Sequence, residues 1–150
     1  MKQLQDASKE LMDTVIFALN HSMDLKKDGV DPMMPFAIVA KGNNKTIKVF
    51  AGDTPEYGDQ MFEKTIKEEK PDYVTYVSDS YLTKDGIKYD AVLLKAYDKN
   101  DSEMYLIGQK FRPKTDDADF EQIGNPGFLG TLANNFPSAS NNSKPWWKFW

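Results

Sequence analysis

Apolar residues near the start of the chain recur every three or four positions, whereas those in the middle alternate with polar ones. Residues 4–25 carry the first pattern, with further apolar side chains beyond the main stripe. This pattern predicts an amphipathic helix packed on two sides, against a sheet and a second protomer. Gly29 and Pro32 are expected to end it. The stripe consists of Leu4, Ala7, Leu11, Val15, Ala18 and Leu19.

A hairpin is predicted directly after this helix. Residues 35–41 and 45–51 are rich in β-branched and apolar side chains. Between them stand Gly42, Asn43 and Asn44, which tolerate positive φ and therefore suit a tight turn.

A second helix and three more strands are predicted after the hairpin. The helix begins at Thr54-Pro55, because proline is favoured at the first helical position, and it ends before Pro71. The strand-like runs are residues 72–79, 86–98 and 103–111. The predicted order of elements is α-β-β-α-β-β-β.

The order of the strands in the sheet follows from how many faces of each strand are apolar. Strands 1, 4 and 5, numbered along the chain, are apolar on both faces, which favours interior positions. Strand 2 contains Lys45 and Lys48, and strand 3 contains Thr75, Ser78 and Asp79, so both suit edges. We therefore predict a single α+β domain with a five-stranded, mainly antiparallel sheet of order 2-1-5-4-3. That architecture is similar to profilin-like, roadblock-like and PAS-like sheets, an analogy of fold that implies no function.

The composition changes after the last predicted strand. The α+β domain is expected to cover residues 1–113, followed by a Gly/Pro-punctuated extension over residues 114–133. Residues 134–150 combine a flexible linker of Asn, Ser and Pro with an aromatic tail.

Composition and charge exclude several classes of function. The 150 residues carry 19 basic and 23 acidic side chains, a net charge of −4, and Arg112 is the only arginine, so no nucleic acid partner is expected. The absence of cysteine excludes disulfides and thiol chemistry. Acidic residues interrupt the first apolar run, and no run is long enough to span a bilayer. A cytoplasmic location is the resulting expectation.

No catalytic constellation is recognisable in the sequence. His21 is the only histidine, and it has no obvious nucleophile partner. The acidic cluster that begins at Asp98 fails the EF-hand spacing. The triplet Gly124, Gly127 and Gly130 lacks the lysine of a phosphate-binding loop. We therefore expect no enzyme activity, no metal and no cofactor.

Tyrosines on the predicted strands are candidates to face a small ligand. They are Tyr73, Tyr76, Tyr89 and Tyr105. An aromatic wall on a half-covered sheet would suit a sensory domain that binds a small ligand. Cross-strand packing explains the same residues without a ligand.

The aromatic tail is the most unusual feature of the sequence. Residues 146–150 read WWKFW and contain every tryptophan of the chain. Left in water, such side chains forgo about 1.5–3 kcal/mol of burial each. We therefore predict a non-enzymatic interaction or regulatory module whose tail docks on a protein partner or a second protomer through Trp146, Trp147, Phe149 and Trp150. Docking on the parent domain, or a weak membrane-surface contact aided by the neighbouring lysines, are the alternatives.

Overall fold

Six antiparallel strands form one sheet, which carries a helix on each face. The computed structural model describes residues 3–52 and 54–134. The elements are a 3₁₀ turn (Leu4–Asp6), α1 (Lys9–Lys27), β1 (Phe36–Lys41), β2 (Asn44–Val49), α2 (Pro55–Glu69), β3 (Tyr73–Lys84), β4 (Ile87–Asp98), β5 (Glu103–Arg112) and β6 (Glu121–Ala133). The strands lie in the order β2-β1-β3-β4-β5-β6. The predicted α+β class and the two helices are confirmed.

Helix α1 begins later than its apolar stripe suggests. The hydroxyl of Ser8 caps it by accepting a hydrogen bond from the Leu11 N–H at 3.1 Å, so the residues before Ser8 form the separate 3₁₀ turn. The helix ends before Gly29, which adopts a φ of 85°. Its buried face, with Val15 and Ala18 at the centre, packs on β1, β3 and β4.

Helix α2 covers the opposite face of the sheet. It begins at Pro55 and ends where Lys70 turns into the left-handed region at a φ of 49°. Phe62 and Ile66 are its buried anchors, and they pack among side chains of β1, β3, β4 and β5. Because helices cover β1 and β4 on both sides, both faces of these strands carry apolar residues.

Strand β3 lies in the interior of the sheet, and its predicted edge position is wrong. It pairs with β1 over its first half and with β4 along its whole length. Its polar side chains have partners on α1: the Thr75 and Thr14 hydroxyls are 2.9 Å apart, and Asp79 lies 2.8 Å from the Lys26 amine. Because helix side chains satisfy these groups, polarity does not mark an edge here. The order 2-1-5-4-3 is replaced, and the analogy to profilin-like, roadblock-like and PAS-like sheets loses its basis.

A sixth strand occupies most of the stretch predicted to be an extension. Glu121–Ala133 pairs with β5 and forms the edge opposite β2. A register shift leaves residues 124–126, which include a proline, outside the ladder. The side-chain amide of Gln109 donates to the carbonyls of Ile123 and Gly124 at 3.2 Å each. An edge strand with such a bulge tolerates the glycines and proline that suggested a loop.

Candidate functional site

A cleft of about 470 Å³ opens where β3, the start of α2 and the loop before β1 meet. It is partly open to solvent. Its lining combines apolar loop residues with a few polar side chains: Pro32, Met33, Met34, Pro35, Gly52, Thr54, Asp59, Tyr76, Ser78 and Asp79. Strand β3 supplies one wall because Tyr76 and Ser78 point to the face that α2 covers, while Asp79 points to the face of α1.

Tyr76 forms the aromatic wall of the cleft and is held rigidly. Its ring lies 5.3 Å from the Phe62 ring and 6.0 Å from the Phe50 ring, and only 2% of the residue is exposed. Gly58 in α2 lies against the Tyr76 hydroxyl, where a methyl group would overlap it. A glycine inside a helix costs about 1 kcal/mol relative to alanine. Here its lack of a side chain lets α2 approach the tyrosine.

An ion pair lies beside this wall. The Lys95 amine is 3.4 Å from the Asp59 carboxylate and 5.7 Å from the centre of the Tyr76 ring. Lys95 is only 8% exposed, and its burial lowers its pKa from 10.5 to about 8, against the opposing effect of Asp59. Burial also raises the pKa of Tyr76, so that its phenol stays protonated. The carboxylate of Asp59 is one of two that line the cleft, and Asp79 supplies the other.

Asp79 stands between this cleft and a smaller cavity of about 160 Å³. One of its carboxylate oxygens accepts a hydrogen bond from the Met33 N–H at 2.7 Å, and the other lies 2.8 Å from the Lys26 amine. Lys26 is itself buried, with its amine 5.3 Å from the Phe111 ring centre. Asp79 thereby ties the cleft-lining loop to β3 and α1.

The chemistry of the cleft suits binding by carboxylate groups and an apolar wall. Asp59 can accept hydrogen bonds, Ser78 can donate or accept, and Tyr76 with the neighbouring prolines and methionines offers apolar surface. Within residues 3–52 and 54–134, no group of three or more His, Asp or Glu side chains could hold a metal ion. His21 lies elsewhere, on α1, edge-on to Phe36 with ring centres 5.0 Å apart.

The four tyrosines chosen from the sequence lie on opposite faces of the sheet. Tyr73 and Tyr105 are on the α1 face, and Tyr76 and Tyr89 are on the α2 face. Only Tyr76 lines the cleft. The Tyr105 hydroxyl donates to Asp101 at 2.8 Å, while the Tyr89 ring lies under the Lys110 amine at 4.8 Å. The structure therefore brings one candidate to the site and assigns the others packing contacts.

Sequence reasoning did not identify Asp59, Ser78 and Lys95. Two signals in the sequence point toward Asp59 and Lys95. Gly58 interrupts a helical pattern immediately before Asp59, and Lys95 interrupts the apolar run of β4. The predicted docking residues Trp146, Trp147, Phe149 and Trp150 lie outside the described residues.

Comparison with protein-family models, curated proteins and solved structures finds no match for this chain. Neither helix in the described part of the chain has the length and apolar character needed to cross a bilayer. A proposal about function therefore depends on the cleft and the residues around it.

Proposed function

We propose that the chain is a non-enzymatic regulatory domain that binds a small molecule in the cleft beside Tyr76. The observation that carries this proposal is the cleft itself, about 470 Å³ in volume with an aromatic wall and the carboxylates of Asp59 and Asp79. Binding sites for small molecules have volumes of about 300–1,000 Å³ and place a few polar groups in a mostly apolar lining. This is the sensory-domain alternative from the sequence, located at one tyrosine instead of four.

The expected ligand is a small amine with an aliphatic or aromatic body. Asp59 offers a carboxylate at the cleft, and its partner Lys95 is mostly buried behind it, so the charge that a ligand meets is negative. The exposed side chains of Met34 and Pro32 would contact the apolar body of the ligand, and the buried Tyr76 ring lies behind them in the lining.

Thermal unfolding of the full chain, followed by circular dichroism, tests this proposal. The probes are primary amines with aromatic or aliphatic bodies, together with carboxylic acids and neutral amides of matched shape. A ligand at 100 times its Kd stabilises the folded state by about 2.7 kcal/mol. We expect amines to raise the Tm, Asp59→Asn to abolish that rise, and the exposed loop variant Asp116→Asn to retain it.

Lys95→Met is a second arm of the same experiment. Removing the amine frees the Asp59 carboxylate, so amines should bind more tightly to this variant. The proposal fails when no amine raises the Tm of the wild-type chain, or when Asp59→Asn responds to amines as the wild type does.

A second candidate function is association with a partner or a second copy. It is favoured by an apolar strip formed by α1 and the edge strand β2. Phe17 is 42% exposed and Val49 60% exposed, Ile47 lies on the same face of β2 as Val49, and the Lys45 amine lies 5.3 Å from the Phe17 ring centre. Homodimerisation through this strip predicts a mass that increases with concentration in light scattering and returns to the monomer value in Val49→Lys. Docking of the aromatic tail on a partner, and the cytoplasmic location, stay predictions from the sequence.

A further inference from the structure

Four leucines, one on each strand from β3 to β6, form an apolar surface on the α2 side of the sheet. The strand register places Leu82, Leu93 and Leu106 on the same face as Tyr76. A second register shift in β6 leaves Leu129 outside the ladder, between Phe128 and Gly130, and its side chain meets Leu82 above Gly108. We call these four residues the leucine face.

The leucine face has no cover among the described residues. Neither hydrophobic core cluster includes any of its four leucines. Leu129 is 44% exposed, and the other three are partly exposed. The Leu82 and Leu129 side chains lie directly over Gly108: a Cβ there would stand 2.8 Å from Leu82 Cδ1 and 3.1 Å from Leu129 Cδ1. Leucine methyl groups that are exposed together in this way offer an apolar surface against which an aromatic ring can pack.

We propose that the aromatic segment, residues 146–150, docks on the leucine face of its own domain. Hydrogen bonds fix the position at which the described chain ends. The Asn134 N–H donates to the Ser102 carbonyl at 2.8 Å, and its side-chain amide donates to the Asp98 and Asp101 carbonyls at 3.0 and 2.8 Å. The chain therefore leaves the sheet from a fixed point at the end of β6.

The chain that follows this point is long enough to reach the leucine face. The 12 residues from 135 to 146 give a root-mean-square span of about 20 Å for a flexible chain. Along β6, the five residues from Asn134 back to Leu129 cover about 17 Å. Because the span matches the distance, the tethered segment is present at the leucine face at a local concentration on the order of millimolar.

The competing apolar surface is less accessible to this segment. The strip of Phe17, Ile47 and Val49 is on the other face of the sheet and at the opposite edge. Five interstrand spacings separate β6 from β2, which is about 24 Å before the chain turns around the edge. The leucine face is closer and lies next to β6.

Tryptophan fluorescence of the full chain tests the proposal, because all three tryptophans lie in residues 146–150. We expect short-wavelength emission that is protected from acrylamide and does not change with protein concentration or with the mass measured by light scattering. Leu129→Lys should lower the ratio of docked to free segment about tenfold, which is the effect of 1.4 kcal/mol. Val49→Lys, an equal change on the other apolar strip, should leave the emission unchanged.

Other results would overturn the proposal. Long-wavelength, fully quenched emission of the wild-type chain means that the segment is free. Protection that increases with concentration and mass assigns the segment to a second copy, and protection that requires anionic vesicles assigns it to a membrane surface. Loss of protection in Val49→Lys but not in Leu129→Lys assigns it to the other strip. Leu129 is half exposed, so its variant is expected to fold, and far-UV circular dichroism verifies this.

Discussion

Because the Lys95 amine is buried, we expect the free energy of unfolding to change with pH in the alkaline range. The variant Lys95→Met removes this contribution, so comparison with the wild type measures it. Burial lowers the pKa of Lys95 from 10.5 to about 8 in the folded chain, where Asp59 and the Tyr76 ring face the amine. Below pH 8 the folded and unfolded chains both carry the proton, so the folded state bears the full cost of a buried charge. Between pH 8 and 10.5 the unfolded chain binds more protons, so the free energy of unfolding increases with pH.

The size of this effect follows from the two pKa values. Each unit of difference corresponds to about 1.4 kcal/mol, so the Lys95 contribution should increase by about 2–3 kcal/mol between pH 7 and pH 10. Methionine keeps the length of the buried stem without the charge. We therefore expect Lys95→Met to be more stable than the wild type at pH 7, and this advantage to shrink by about 2–3 kcal/mol at pH 10.

Urea unfolding followed by circular dichroism at both pH values measures this difference. All other titrating groups are shared by the two proteins, so their contributions cancel in the comparison. Lys84→Met, which changes an exposed lysine, is the matched control and should show no pH-dependent difference. Parallel stability curves for the wild type and Lys95→Met would refute the reasoning, since they would mean that burial does not lower the pKa of the amine.

Three further predictions concern groups that hold the cleft and the edge of the sheet. Asp79→Ala leaves the buried Lys26 amine with the exposed and more distant Asp31 carboxylate, 3.7 Å away, and removes the acceptor of the Met33 N–H; it should cost about 3–5 kcal/mol of stability in urea unfolding, and Asp79→Asn should cost less. Gly58→Ala should lower the Tm, although alanine is the better helix former by about 1 kcal/mol, because its methyl group would overlap the Tyr76 hydroxyl; a higher Tm would contradict the packing described. Gln109→Leu removes the donor to two carbonyls of β6 and should cost about 1–3 kcal/mol, with faster amide exchange confined to β5 and β6.

The sequence predicts those parts of the fold that depend on local pattern. The hairpin, both helices and the positions of the middle three strands in the chain follow from periodicity and turn residues, and the structure confirms them. The neighbours of β3 could not be predicted, because its polar residues are satisfied by Thr14 and Lys26, which are more than 50 positions away along the chain. The polar residues of β3 were interpreted as a sign of exposure at an edge, but they pair with residues that are distant in the chain.

β6 was missed for a related reason. Its glycines and proline are typical of a loop, and the bulge that accommodates them depends on a side-chain amide from the neighbouring strand.

The cleft could be predicted from the sequence only in part. Tyr76 was a candidate because aromatic residues on strands are visible in the sequence, whereas Asp59 and Lys95 meet only after α2 packs on the sheet.

The strand order has a consequence for how the molecule assembles. Four of the five neighbouring pairs in the sheet join strands that are consecutive in the chain, and only the pairing of β1 with β3 must close a loop that contains β2 and α2. Short loops close on a timescale of about 10–100 ns, while longer closures cost more entropy before any contact forms. We therefore expect the hairpin of β1 and β2 and the meander from β3 to β6 to form as separate units. Their joining along β1 and β3, when α1 packs across the seam, should then determine the folding rate.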